Sequence, residues 1–427
     1  MSLHPIDADT RVATLGNGVR VVAISLPYLE SASVSVFVRT GSSHESKRQS
    51  GISHFVEHMA FKGTHTRSCQ EINLQAERLG ADVNAHTDKD HTAYHMRGRA
   101  RDAAAFVRML GDIVQGSTFP EAELERERQV LLQEYIEDDE EPLSTAYKLF
   151  DKLCFGSHPL AQPVIGSRAN IGRFTRDELL DYVQGRYTGA NVVVGVAGRI
   201  DVDALLREAE AAFGAMRRGA ENVVAAPDYR GGIASRALAG SGQTHVVFGL
   251  PMPTLTDDRH HAGVVAAALF GEGMSSPLLD EIRERRGLAY YLSCSADVSE
   301  LAGQFIIEAS TAPEHTDEFL REIKRLLAVQ AGRIEAVDLE RAKNQIAVRR
   351  LRASERPSRR LEDAALDLLS LGRARAHAEL LQHSESVTAA QVQAAFAHML
   401  EAPEAIAIAG KIRKGTLERA RELFEHR

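Results

Sequence analysis

One phrase occurs twice in this chain, and it limits the fold more than any other feature. Asn191-Val-Val-Val-Gly-Val-Ala-Gly-Arg-Ile200 is followed by a helical stretch from about Val202 to Phe213, and Ala405-Ile-Ala-Ile-Ala-Gly-Lys-Ile412 by another ending at Phe424. Ala197 and Ala409 hold equivalent places 212 residues apart, half of a 427-residue chain. A repeat at that period predicts an α+β protein of two homologous α/β-sandwich halves, each an antiparallel-rich sheet with helices packed on it. Met216 to Leu238 is rich in Gly, Ala and Arg, with Pro227 and Gly231-Gly232, and is expected to be the linker. The expected division is therefore a domain over 1–215, a linker over 216–238 and a second domain over 239–427.

With 44% hydrophobic and 26% charged residues, each half has enough apolar material for a core. A formal net charge of −8 argues against a nucleic-acid partner, which would call for a basic face. No run reaches the ~18 apolar residues of a membrane span, so no membrane association is expected. Met1 to Thr10 has neither a basic head nor an apolar core, which leaves no sign of a signal peptide and points to the cytoplasm. Cys69, Cys154 and Cys294 are odd in number and far apart, as reduced thiols would be.

The chemistry-bearing stretch is His54-Phe-Val-Glu-His-Met-Ala-Phe-Lys-Gly63. His54 and His58 are four apart, one turn of helix, so both imidazoles reach one ion, with Glu57 beside them. Ser50 is the expected cap, Ile52, Phe55, Val56 and Met59 the apolar side, and Gly63 the stop. A zinc hydrolase needs three protein ligands, an open position and a carboxylate base, and His-x-x-Glu-His supplies two ligands and the base. From Pro120 to Glu137, a helical stripe repeats Leu124, Glu127, Leu131 and Glu134. Carboxylates on a leucine stripe are costly to bury unless a cation meets them.

Arg11 to Leu26 alternates about Asn17-Gly18, a hairpin signal, and Ser33 to Arg39 alternates again. Ser68 and Glu71 form a capping box for a helix ending near Gly80, and Ala81 to Arg97 is expected as two strands turning at Asp88-Lys89-Asp90. From spacing alone Asp82 to Thr87 is equally a plain edge hairpin or a strand whose exposed edge accepts an extended peptide as one more strand. His86, His91 and His95 cluster nearby and are expected to be solvated or hydrogen-bonded, because a hydrolytic site needs only three protein ligands.

These residues resemble the inverzincin, or pitrilysin-like, zinc metallopeptidases. That family's pattern places a zinc-binding glutamate 76 residues after the second histidine, which lands on Glu134, and a supporting glutamate two turns earlier, at Glu127. The resemblance implies one Zn2+ per chain held by His54, His58 and Glu134, with Glu57 as general base and Glu127 assisting. It implies peptide binding at Asn84 and Ala85. Arg283-Glu-Arg-Arg-Gly-Leu-Ala-Tyr290 is similar to the family's Arg and Tyr pair, which contacts peptide and the tetrahedral intermediate. Pro277 departs from the family, where arginine is common. The second half carries no His-x-x-Glu-His. The fold and activity so implied are a clamshell dimer, of identical or sister subunits, that hydrolyses peptides or unfolded segments. The alternatives are a subunit active only with its sister, or a non-catalytic scaffold subunit.

Overall fold

The protein, described here by a computed structural model, shows residues 3–424; the extreme ends of the two expected domains lie outside the described residues. It is a mixed α/β structure with two sheets in two compact units. The first unit comprises residues up to 135, 162–224 and 352–377, and the second 136–161, 225–351 and the chain from 378.

The first sheet has strands β1 (Leu3–Pro5), β2 (Thr10–Thr14), β3 (Arg20–Ser25), β4 (Ser31–Val38), β5 (Asp82–Thr87), β6 (Thr92–Arg99) and β7 (Val192–Gly198). Their order is β1-β2-β3-β7-β4-β6-β5, antiparallel except for β3 with β7. β2 and β3 meet through Asn17-Gly18, where Gly18 takes φ 96°, a conformation open to glycine and costly for other residues. Strand alternation splits the apolar residues between two faces. Val21, Val34, Val36 and Val194 pack with helices α1 (Ile52–Ala60), α2 (Cys69–Leu79) and α3 (Ala103–Gly116). Val22, Ile24, Phe37 and Val193 pack with Leu361, Ala365 and Leu368 of the helix Pro357–Leu371. Gly195 interrupts the valine run of β7 because that helix lies so close: a Cβ there would stand 2.3 Å from Leu361 Cδ1.

The second sheet has β8 (Gly232–Ala237), β9 (Thr244–Met252), β10 (Ala289–Val298), β11 (Gly303–Thr311) and β12 (Ala405–Gly410), in the order β10-β11-β9-β12-β8. Only β8 and β12 are parallel. The order and sense of β8-β12-β9-β11-β10 therefore repeat those of β3-β7-β4-β6-β5, and the duplicated phrase forms the equivalent strands β7 and β12. Helices α4 (Glu121–Glu140) and α5 (Pro142–Phe155) follow one another, and α5 covers the far face of this second sheet through Ala146 and Phe150.

The observed units differ from the expected linear division in three places. The α5 segment, which falls within 1–215, belongs to the second unit, and the helix Pro357–Leu371, within 239–427, belongs to the first. The stretch expected to be linker ends in strand β8. Amphipathic spacing shows that a helix is covered without showing by which sheet, and two adjacent glycines hide a short edge strand. Among the described residues, no helix is long and apolar enough to cross a membrane.

Candidate metal centre

Helix α1 carries the His-x-x-Glu-His stretch, and its start is fixed by Glu45 rather than by Ser50. The buried Glu45 carboxylate accepts from the amides of Gly51 at 2.7 Å and Ser53 at 2.8 Å, two of the unpaired donors of a helix N-terminus. Gly51, with φ 97°, supplies the turn, and its lack of a side chain leaves the capping to that distant carboxylate. The cap is costly: burial pushes the Glu45 carboxyl up to about 7 although both amides pull it down. Ile52, Phe55, Val56 and Met59 are buried as the spacing predicts, so His54, Glu57 and His58 occupy the half-buried side. The helix ends at Ala60, and Gly63 turns the chain with φ 139°.

One turn apart, the His54 and His58 rings are nearly perpendicular, with centroids 4.7 Å apart and 79° between planes. Helix α4 brings the carboxylates. Its Leu124 and Leu131 are buried, Glu127 between them is 8% exposed, and Glu134 is half-exposed. Glu134 Oε2 lies 3.5 Å from His58 Nε2 and 3.9 Å from His54 Nε2, and one ligand atom from each of the three residues falls within 4.8 Å of the others. Tetrahedral zinc with bonds near 2.0–2.1 Å sets its ligands about 3.4 Å apart, so two nitrogens and a carboxylate oxygen at these separations fit that ion. Burial, with His58 adding, pushes the His54 imidazole down to about 3 and keeps it neutral, as a ligand must be.

Two side chains that the sequence did not disclose, Lys62 and Thr87, support the carboxylates, whereas Glu127 stands where the resemblance placed it. Glu127 Oε2 lies 3.1 Å from His58 Nδ1, and its other oxygen lies 2.6 Å from Lys62 Nζ, so the carboxylate bridges a ring and an ammonium. Lys62 stands four residues after His58, a spacing that could have disclosed it. Thr87 Oγ1 donates to Glu57 Oε2 at 2.7 Å, and the Thr87 amide bonds the same carboxylate. No spacing signals Thr87. Burial raises the Glu57 carboxyl above its ordinary range, the charge of Glu134 adds to this, and the Thr87 bonds and His58 oppose it. By contrast, His54 Nδ1 is buried without a hydrogen-bond partner.

Thr87 belongs to β5, the edge strand of the sheet. The Ala85 amide bonds the side-chain oxygen of Asn84 at 2.9 Å, and the Thr87 amide two residues on bonds Glu57, so both face out from the ladder. The expected peptide-binding pair thus occupies an open edge running past Glu57. Arg283 and Tyr290 lie in the second unit: Arg283 pairs with Glu284 at 3.0 Å, in a wide-turned helix Leu279–Arg285, and Tyr290 is the second residue of β10, at a register irregularity, and is 86% exposed. Pro277 stands just before that helix, beside Ser276, whose hydroxyl bonds the Leu279 amide at 3.3 Å; its fixed φ and missing N–H are tolerated there. The helix His260–Gly271, which follows β9 as α1 follows β4, bears no equivalent set.

A two-sheet α/β chain with paired imidazoles, a glutamate within reach of both and a second carboxylate beside them has the makings of a metal-dependent hydrolase. Residues 20–168 match the family described as insulinase, peptidase family M16, and residues 173–346 match the peptidase M16 inactive domain. A protein of Mycobacterium tuberculosis named an uncharacterized zinc protease is 32% identical over 411 residues, 94% of this chain and 93% of its own. Another, of Rickettsia felis, is 30% identical over 85% of this chain and 88% of its own. A protease from Helicobacter pylori shares the fold with TM-score 0.88 at 21% identity, over 96% of this chain and 100% of its own. The chain belongs to peptidase family M16.

Proposed function

We propose that this chain is a zinc-dependent endopeptidase acting on peptides or unfolded segments. The observation that carries the reading is the convergence of His54 Nε2, His58 Nε2 and Glu134 Oε2, with the Glu57 carboxylate beside them. These three residues would hold one zinc ion, which when bound would supply a Lewis acid and lower the pKa of water toward neutrality. Glu57 takes the proton of the attacking water and returns one to the leaving amine, a role suited to a carboxyl raised toward neutrality. Glu127, steadied by Lys62, fixes the ring plane and tautomer of His58. The substrate lies along β5 as an added strand, meeting the outward amide of Ala85, with Asn84 flanking it.

Arg283 and Tyr290 are donors for a carbonyl oxygen that becomes an oxyanion. In this reading they serve the centre across a clamshell dimer, formed with a second copy or a homologous sister, and the exposure of Tyr290 supports its meeting another surface. A quenched peptide assayed with the purified chain, with and without chelator, tests the function. Chelator-sensitive cleavage by the chain alone is expected; cleavage only after addition of a sister subunit, or none with zinc bound, would replace this reading by one of its alternatives. E57Q should retain zinc by elemental analysis and lose turnover by about 100-fold or more.

A further inference from the structure

A second cluster lies on the opposite face of the first sheet. Successive strand residues point to opposite faces, and while Thr87 reaches Glu57, its neighbour His86 pairs with Ala93, which packs with Leu361 and Ala365 of the helix Pro357–Leu371. On this face His86 Nε2 lies 3.2 Å from His91 Nε2, and the rings are perpendicular, with centroids 5.3 Å apart and 88° between planes. Glu362, from the same helix, completes a set whose ligand atoms all fall within 4.8 Å.

We propose that His86, His91 and Glu362 form a second site for a divalent transition ion such as zinc, distinct from the centre on α1. The two sites share their construction: two perpendicular imidazoles meeting through Nε2, and one carboxylate from another element. The ring backs are tied as ligating imidazoles require. Asp90 Oδ1 lies 2.6 Å from His91 Nδ1, which places the proton there and leaves the Nε2 lone pair free. His86 Nδ1 faces His95 Nε2 at 3.1 Å, and His95 Nδ1 faces Ser35 Oγ at 2.7 Å. With Ser35 accepting, each Nδ1 carries its proton, and two lone pairs confront each other across 3.2 Å until a cation enters between them. Arg359 holds one Glu362 oxygen at 3.0 Å, and a carboxylate has a second to offer.

Without an ion, Ser35 can donate instead, and the histidines become a hydrogen-bonded relay ending at Asp90. That arrangement makes no use of Glu362. Two imidazoles and a carboxylate suit zinc, copper or nickel rather than calcium or magnesium. An ion here would tie the β5–β6 hairpin, 4% exposed at His91, to a helix far along the chain.

The probe is zinc itself, titrated into metal-free full-length protein and counted by equilibrium dialysis with elemental analysis. Wild type should bind two equivalents, H54A/E134A one, and H86Q/E362Q one. In the H54A/E134A background, zinc should raise the melting temperature by several degrees, and adding E362Q should abolish the rise. E362Q alone leaves all the histidines in place and guards against misfolding of the histidine variant. One equivalent in wild type with none in H54A/E134A would overturn the second site and leave the first intact. Two equivalents persisting in both H86Q/E362Q and E362Q would place the second ion elsewhere and equally overturn it.

Discussion

Glu127 touches the back of His58, its Oε2 lying 3.1 Å from Nδ1, while its other oxygen is 2.6 Å from Lys62. The carboxylate thus bonds a ring that faces Glu134 through its other nitrogen. Residues that hold a ligating imidazole from behind typically matter 10- to 100-fold for metal affinity. E127Q should weaken zinc binding by about that factor in chelator competition, with K62M acting in the same direction but less. Unchanged affinity in E127Q would mean that the contact positions nothing.

Thr87 links the edge strand to the proposed base. Burial raises the Glu57 carboxyl and the Thr87 hydroxyl holds it back. T87V removes that donor, so the Glu57 pKa should rise further and the acidic limb of kcat/KM against pH should move to higher pH. A limb that stays in place would assign the limb to another group.

Glu45 gives a stability signature of known sign. Its carboxyl titrates near 7 in the fold against an ordinary 4.5 for a glutamate in water, so the folded chain binds that proton more tightly than the unfolded one. The stability it contributes is full below about 4.5 and is lost as pH rises through about 7. E45Q cannot ionise. Measured as a difference from wild type in chelator, its relative stability should climb by about 3 kcal/mol from pH 4.5 to 7 and then level off. A flat difference would show that Glu45 keeps an ordinary pKa.

Gly195 should resist substitution because of Leu361, not because of backbone strain. G195A would drive a methyl to 2.3 Å from Leu361 Cδ1 and should cost about 1–3 kcal/mol. L361A costs stability by itself, yet the double variant should lose less than the two losses added, the mark of a shared contact. Strict additivity in urea denaturation would separate the two residues.

What the sequence disclosed follows the range of its signals. His54 and His58 are local neighbours on one helix, and the hairpin at Asn17-Gly18 and the capping box at Ser68 and Glu71 are equally local, so spacing alone placed them. Glu134 needed more, since its stripe shows a helix and a cost of burial, and a family pattern supplied the pairing. The cap on α1 escaped because Ser50 has the right residue type while Glu45, reaching forward from six residues before Gly51, has the right geometry. Thr87 escaped because a strand pattern does not record which residue faces a helix on the neighbouring layer. The destinations of α5 and the helix Pro357–Leu371 were hidden for the same reason.

Those two helices bear on how the protein is made. Val22, Ile24, Phe37 and Val193 are complete as a sheet face once residue 198 has been synthesised, yet their cover arrives only with Pro357–Leu371. During translation the nascent first half must therefore wait with an oily surface bare, inviting chaperones, while more than 150 further residues emerge from the ribosome. Cutting the gene at its apparent midpoint would therefore part this sheet face from the helix that covers it, and would yield two sticky fragments rather than two domains.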